Sequence, residues 1–318
     1  VDTNHTYIDG TKIEANARRY TWVWKKCCIK NRDKMFVKIS ALIDAMNTEV
    51  LYLLGVKFEK RDEYAIEYLE DILCKYERIV KLDKSKFVSG TGHRKSLYQR
   101  QYQELEGYIS RLKNYARHIE ICGESRNSYS KTDHDATFMR IKRDYMGNDQ
   151  LLPAYNMQAA ICDEYIAVID AKPYASDMEC FVPLMEKFNE VYGHYPKYPV
   201  VDAGYGSYNN YLYCEEHGME KYMKFTMFEK ETKDKKYHNN PYRVENFRRD
   251  SEGNIICPNG KKFIHKCDKH VRGNKYGRTE EIYECEDCSE RVNGNRTARL
   301  NRELTSIHHE VIEKLESI

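Results

Sequence analysis

Residues 198–207 read YPVVDAGYGS, and the organisation of the whole chain follows from them. Val200 and Val201 form a short apolar run of the kind that fills a buried strand, and the run stops abruptly at a carboxylate, Asp202. Gly204 and Gly206 then turn the chain, and a helix is expected around Asn209 to His217. A buried strand, a tight turn and a helix in immediate succession are the building unit of an α/β sheet.

Upstream, a helix fits Asp177 to Tyr192, with Asp177 as its cap and Phe181, Leu184, Met185 and Phe188 as its apolar face. Before it, Ala154 to Cys162 and Tyr165 to Ala171 flank Asp163 and Glu164, which reads as a hairpin with a tight polar connection. Downstream, Lys221 to Phe225 supplies one more strand. Near the N-terminus, His5 to Ala15 alternates like a strand around a polar centre, Asp9, Gly10 and Thr11. Between these parts, from about Asp33 to Cys122, the apolar period becomes helical. Ile39, Leu42, Ile43, Met46, Val50 and Leu53 form one stripe; Ile66, Leu69, Ile72, Leu73, Tyr76 and Ile79 form a second. A third runs from Leu105 to Ile119, and the glycine-broken segment at 88–95 makes the last two an antiparallel helical hairpin. The order is strand, long helical insertion, strand, strand, helix, strand, helix, strand.

The expected organisation is a first strand region at 1–32, a helical insertion at 33–130 and the rest of the α/β core at 131–228. A basic, cysteine-containing insertion follows at 229–294, and a helix with Leu300, Leu304, Ile307, Val311 and Leu315 on one side closes the chain at 295–318.

With 318 residues, 41% of them hydrophobic, the chain can bury a core without covalent staples. No run approaches the ~18 apolar residues of a membrane span, and the start VDTNHTYIDGTK lacks the basic and apolar regions of a secretory signal, so a cytoplasmic location is expected. A start at Val1 rather than Met is consistent with a longer protein whose upstream part is missing. The 27 tyrosines suit base stacking and half-wet cores alike.

A net charge of +2 hides local segregation. Lys261, Lys262, Lys266, Lys269, Arg272, Lys275 and Arg278 meet one acid, Asp268, between residues 261 and 278, which reads as a phosphate-contacting patch. Lys12, Arg18, Arg19, Lys25 and Lys26 follow Asp9 along the chain, interleaved with Tyr20, Trp22 and Trp24, and can hold phosphates or simply solubilise an exposed edge. In a reducing compartment the 11 cysteines are buried small residues or metal ligands. Cys285 and Cys288 form a CxxC pair, and with Cys257 and Cys267 they supply four thiolates for a tetrahedral zinc, although nine residues separate the first two.

Asp9 and Asp202 fit the needs of divalent-ion chemistry. Each ends or interrupts an apolar strand, and two carboxylates held by rigid strands can share divalent ions such as Mg²⁺ or Mn²⁺. Taken singly, each also has a plain reading, Asp-Gly as a hairpin turn and Asp202 as the start of a loop.

Three blocks go further: YIDGTKIEANARRYTWVWKK at 7–26, YPKYPVVDAGYGSYNNYLYCEEHGMEKYMKF at 195–225 and RLNRELTSIHHEV at 299–311. They resemble blocks of bacterial insertion-sequence DDE transposases, and the resemblance runs through nearly the whole chain. It implies a ribonuclease H-like mixed sheet interrupted by the helical insertion, and metal-dependent cleavage and strand transfer of double-stranded DNA at element ends. Asp9 and Asp202 would be the first and second metal-binding catalytic carboxylates. Water and then the freed 3′ hydroxyl would be the nucleophiles, and a homodimer on DNA would be the working form. The family's third acid is a Glu on a later helix, and no matching block precedes Ile318. Glu303 and Glu310 lie on the terminal helix, but their surroundings resemble a segment just ahead of the catalytic one. Relatives also carry further cysteines after YECEDC at 283–288, where SERVNGNR follows here. A remnant that binds DNA without catalysis, or a ribonuclease H-like nuclease that cuts without joining, are the alternatives.

Overall fold

The computed structural model describes residues 1–90, 94–141, 147, 149–271, 275–285 and 296–317. Its elements, in chain order, are β1 (His5–Glu14), β2 (Trp22–Trp24), α1 (Lys25–Glu49), α2 (Ile66–Ile79), α3 (Leu97–Cys122), β3 (Ser128–Ser130), β4 (Thr137–Arg140), β5 (Leu151–Cys162) and β6 (Tyr165–Lys172). There follow α4 (Phe181–Tyr192), β7 (Tyr198–Val201), α5 (Tyr208–Glu216), β8 (Tyr222–Met223), α6 (Phe228–Lys233) and α7 (Lys235–His238). Then come β9 (Arg248–Arg249), β10 (Ile255–Ile256), β11 (Lys262–His270), β12 (Thr279–Cys285), β13 (Arg296–Leu300) and α8 (Arg302–Glu316). The chain divides into two units, Val1–Ile13 with Asn156–Ile318, and Glu14–Tyr155.

In the first unit β1 stands between β5 and β7, β6 lies beyond β5, and β8 lies beyond β7. β5 and β6 are antiparallel, whereas β7 runs parallel to both β1 and β8. The mixed sheet expected from the sequence is present. Its core is built by Ile8, Ala160, Val168 and Val201 from the strands and by Phe181, Leu184, Met185 and Phe188 from α4, with Ile307 and Val311 of α8 closing over it. These residues repeat at two along strands and at three or four along helices, so each element buries one face.

Two sequence readings are corrected in this unit. Asp177 does not cap α4: it begins a 3-10 turn at Asp177–Glu179, and the helix N-cap is Cys180, which makes no side-chain cap bond. Arg296–Leu300 is a strand rather than the start of the terminal helix, because five antiparallel strands, β13-β12-β11-β10-β9, form a second sheet there. Asn301 caps α8 by accepting from the Leu304 amide.

In the second unit α1 already begins at Lys25, and α1, α2 and α3 enclose a core of Met35, Ile39, Ile43, Met46, Leu69, Ile72, Tyr76, Leu105, Ile109 and Leu112. Tyr76 is fully buried and spends its hydroxyl on Gln101 Oε1 at 2.6 Å. No helix among the described residues is long and apolar enough to cross a membrane.

Candidate active site

The ladder between β1 and β7 pairs Tyr7 with Val200 and Ile8 with Val201, in parallel. Asp9 and Asp202 occupy the next position on each chain, at the carboxyl end of β7. Neighbouring strands are about 4.8 Å apart, and residues level with each other on parallel strands project to one side. Ile8 and Val201 are buried while both aspartates are exposed, so the pair faces solvent where its apolar neighbours turn inward.

Each aspartate is held by the backbone that follows it. Asp9 Oδ1 accepts from the Gly10 amide at 2.8 Å, and Asp202 Oδ1 accepts from the Gly204 amide at 2.8 Å. A Cβ on Gly204 would stand 2.9 Å from Asp202 Oδ1 and 3.4 Å from Asp177 Oδ2, so a second carboxylate lies beside this glycine. Asp177, which sequence reading took for a cap, therefore belongs to the same edge. Its Oδ1 accepts from Asn156 Nδ2 at 2.7 Å and from Gln158 Nε2 at 3.4 Å.

Asn156 and Gln158 are both fully buried on β5, and leaving either amide unbonded would cost roughly 1–3 kcal/mol. Neither is left so: Gln158 Nε2 donates to Asn156 Oδ1 at 2.8 Å, and Tyr205 donates its hydroxyl to Gln158 Oε1. Burial first, then the charges of Asp177, Asp9 and Asp202, push the Tyr205 phenol far above its ordinary value. A phenol that stays protonated must donate, which fixes Gln158 with its oxygen towards Tyr205 and its NH₂ towards Asn156 and Asp177. Sequence reading missed this network. Its signal was two polar residues, Asn156 and Gln158, on the inward face of an otherwise apolar strand.

The two acids of the terminal helix are occupied elsewhere. Glu303 accepts from the Tyr208 hydroxyl, and Glu310 is ion-paired with Lys221 at 2.6 Å and Lys314 at 2.8 Å.

The cationic run at 261–278 loses much of its free charge in the fold. Lys262 pairs with Glu252 at 3.3 Å, Lys266 with Glu284, Lys275 with Glu216 at 3.5 Å and Arg278 with Glu280. Lys261 and Lys269 have no ion pair among the described residues, and Arg272 lies outside them. Of the first basic group, Arg19 pairs with Glu14 at 3.1 Å and Lys25 donates to the Gly123 carbonyl at 2.5 Å. Lys12, Arg18 and Lys26 make no ion pair among the described residues, and Arg18 and Lys26 are exposed.

The four cysteines are not all brought together. Cys257 and Cys285 share one buried cluster with Phe247, Ile255, Phe263 and Ala298. Cys267 is exposed and pairs across the sheet with Ile282, three residues from Cys285, which separates those two by on the order of 10 Å. Zinc–sulfur bonds of about 2.3 Å do not span that. Cys288 lies outside the described residues.

Among the described residues no group of three or more His, Cys, Asp or Glu side chains stands close enough to hold an ion. For a hard divalent cation, Asp9 and Asp202 fit as a two-carboxylate edge, each with Oδ2 free of protein hydrogen bonds among the described residues. Mg²⁺ is commonly held by one or two carboxylates and keeps several waters, so this edge meets its needs.

The class of protein is thus a mixed α/β domain that carries Asp9 and Asp202 by the carboxyl end of its parallel strand β7, the end at which open α/β sheets commonly bind ligands. Residues 126–281 match the family described as "Transposase DDE domain". The match contains Asn156, Gln158, Asp177 and Asp202. No protein with a curated description and no solved structure matches the chain.

Proposed function

We propose that this chain carries out the DNA cleavage and strand transfer of an insertion sequence, with Asp9 and Asp202 as the carboxylates that hold its divalent ions. The observation that carries this is the parallel pairing of Ile8 with Val201, which brings level two aspartates that are distant in sequence. The strand order β6-β5-β1-β7-β8, with β5 and β6 antiparallel and β1, β7 and β8 parallel, supports a ribonuclease H-like reading of the sheet. When bound, a divalent ion would supply charge neutralisation at the phosphorus and activation of the attacking oxygen.

The residues of the chain do the rest. The Gly10 and Gly204 amides pin one oxygen of each aspartate and leave the other turned outward. Tyr205, kept protonated by its surroundings, closes the floor of the site with a donor rather than a further negative charge. Phosphates of duplex DNA are met by exposed cations. On α1, Lys26, Lys30, Lys34 and Lys38 recur every fourth residue, all exposed and with no ion pair among the described residues. The first turn of α1 holds no acid and its N-cap gives no side-chain bond, so Lys25 and Lys26 stand where the helix dipole disfavours cations. A charge kept at a place that weakens its own helix fits a role in binding.

Mn²⁺ titration by calorimetry, paired with nicking of supercoiled plasmid in Mn²⁺, tests the assignment. Asp9→Asn and Asp202→Asn are expected to weaken Mn²⁺ at least about tenfold, or 1.4 kcal/mol, and to abolish nicking. Unchanged binding and nicking in both variants would overturn it.

A further inference from the structure

Between β1 and β7 the ladder ends at Ile8 and Val201, so no backbone pairing between these strands holds Asp9 level with Asp202. Something else must keep the two segments in step at the one level where their spacing matters. A single side chain reaches both. The carboxamide of Gln158, on β5, lies against Gly10 so closely that a Cβ on residue 10 would stand 2.8 Å from its Oε1 and 2.9 Å from its Cδ. The same Oε1 accepts the hydroxyl of Tyr205, three residues after Asp202. Its Nε2 donates to Asn156 Oδ1 and to Asp177 Oδ1.

We infer that Gln158 is the positioning residue of this site, a buried amide that locks the Asp9–Gly10 strand to the Asp202–Tyr205 turn and thereby sets the separation of the two carboxylates. It touches neither carboxylate oxygen of Asp9 or Asp202 by hydrogen bond among the described residues, so it acts through Gly10 and Tyr205. Glycine at position 10 is the matching half of the device, because any side chain there would drive the amide out. Tyr205 is anchored in turn by an edge-on contact with Phe181 of α4, with ring centroids 6.5 Å apart, so the turn hangs from the core and not from solvent-exposed loop. Asp177 Oδ1 accepts from both Asn156 Nδ2 and Gln158 Nε2, so the amide is bonded on its donor side as well as its acceptor side.

This rests on Asp9 and Asp202 as the cation-holding pair, and the test separates the two claims. Mn²⁺ affinity of the whole chain is measured by calorimetry well below the melting midpoint, for the unsubstituted protein, Gln158→Met, Tyr205→Phe and Asp202→Asn. Outer partners of metal ligands are worth roughly 10–100-fold in affinity. Gln158→Met, of similar length but without donors or acceptors, is expected to lose about that much while staying folded. Tyr205→Phe, which deletes only the hydroxyl, is expected to lose less in the same direction, and it decides the matter if Gln158→Met fails to fold. A purely structural role would lower the melting temperature and leave Mn²⁺ affinity of the folded protein unchanged. Wild-type affinity in a folded Gln158→Met, or in Tyr205→Phe when Gln158→Met does not fold, overturns the inference. Wild-type affinity in Asp202→Asn overturns instead the reading on which it rests.

Discussion

Lys221 Nζ lies 2.6 Å from Glu310 Oε2, and the lysine that makes this pair is almost wholly buried. It also pairs with Glu215, at the end of α5. One cation thus ties α8 to the segment between α5 and β8, beside the Ile307 and Val311 contacts that close the core of the α/β unit. Removing it would take a counter-charge from Glu215 and leave Glu310 with Lys314 alone, although Glu310, with 39% of its side chain exposed, could still recover water. Lys221→Met is therefore expected to cost about 1.5–3 kcal/mol, the range for hydrogen bonds to charged groups. Differential scanning calorimetry should show a midpoint lower by roughly 2–6 °C. No shift would mean that apolar packing alone docks α8.

The same pair sets a pH window. Burial works to raise the Glu310 carboxyl, but its bonds to Lys221 and Lys314 outweigh it and hold the group below its ordinary value of 4.5. A depressed acid contributes stability above its unfolded value and loses it as pH falls through the folded one. Burial works to lower Lys221, and its bonds to Glu215 and Glu310 outweigh that, leaving it above its ordinary 10.5. A raised base contributes stability below its unfolded value and loses it as pH rises through the folded one. The pair is thus expected to stabilise fully between about pH 5 and pH 10 and to fade at both ends. Melting curves of the unsubstituted protein and Lys221→Met should converge once pH falls below the depressed Glu310 value and once it rises above the raised Lys221 value. Parallel curves across that range would show that the pair contributes nothing that depends on charge.

What the sequence disclosed about the fold depended on how local the cause was. Val200–Val201 before Asp202, and the hairpin around Asp163, were legible because apolar runs and turn residues act over a few positions, and β5, β6 and β7 lie where they were expected. Gly206 was read as a turn glycine, but its reason is remote: a Cβ there would overlap the Lys224 carbonyl and stand 2.9 Å from Phe225 Cα. The second sheet was invisible because its strands are charged rather than apolar. β11, KFIHKCDKH, lies against β12, TEEIYEC, with Lys269 opposite Glu280 and Lys266 paired to Glu284. A charge count that stops at Arg278 takes in the cations of one strand and omits the acids of its partner, so it overstates the free positive field. Asp177 was hidden for a related reason. An Asp just before a helix has a ready local explanation, and its actual partners, Asn156 and Gln158, come from a strand about 20 residues upstream.

Lys26, Lys30, Lys34 and Lys38 offer the most direct test of where DNA is held. On an α-helix each step of four residues rises about 6 Å, so the four ammonium groups are spread along roughly 18 Å of one broad face. The acid on that face, Asp33, is engaged by Arg32 at 2.9 Å, which leaves the lysines without a local counter-charge. Phosphate contacts release counterions, and log K for duplex DNA falls with log salt by about 0.9 per contact. Replacing all four by Gln should therefore weaken binding to any duplex, regardless of sequence, and reduce the salt slope by up to about 3.6 if every lysine meets a phosphate. Fluorescence anisotropy with a labelled duplex between 50 and 200 mM salt, roughly the range over which such contacts are felt, measures both quantities. The substitutions lie on an exposed face and remove cations from the start of the helix, so the fold should hold or gain slightly. An unchanged slope in a folded variant would show that the stripe is only a solvated surface and that the DNA lies against other cations, with Lys12, Arg18, Lys261 and Lys269 the next to replace.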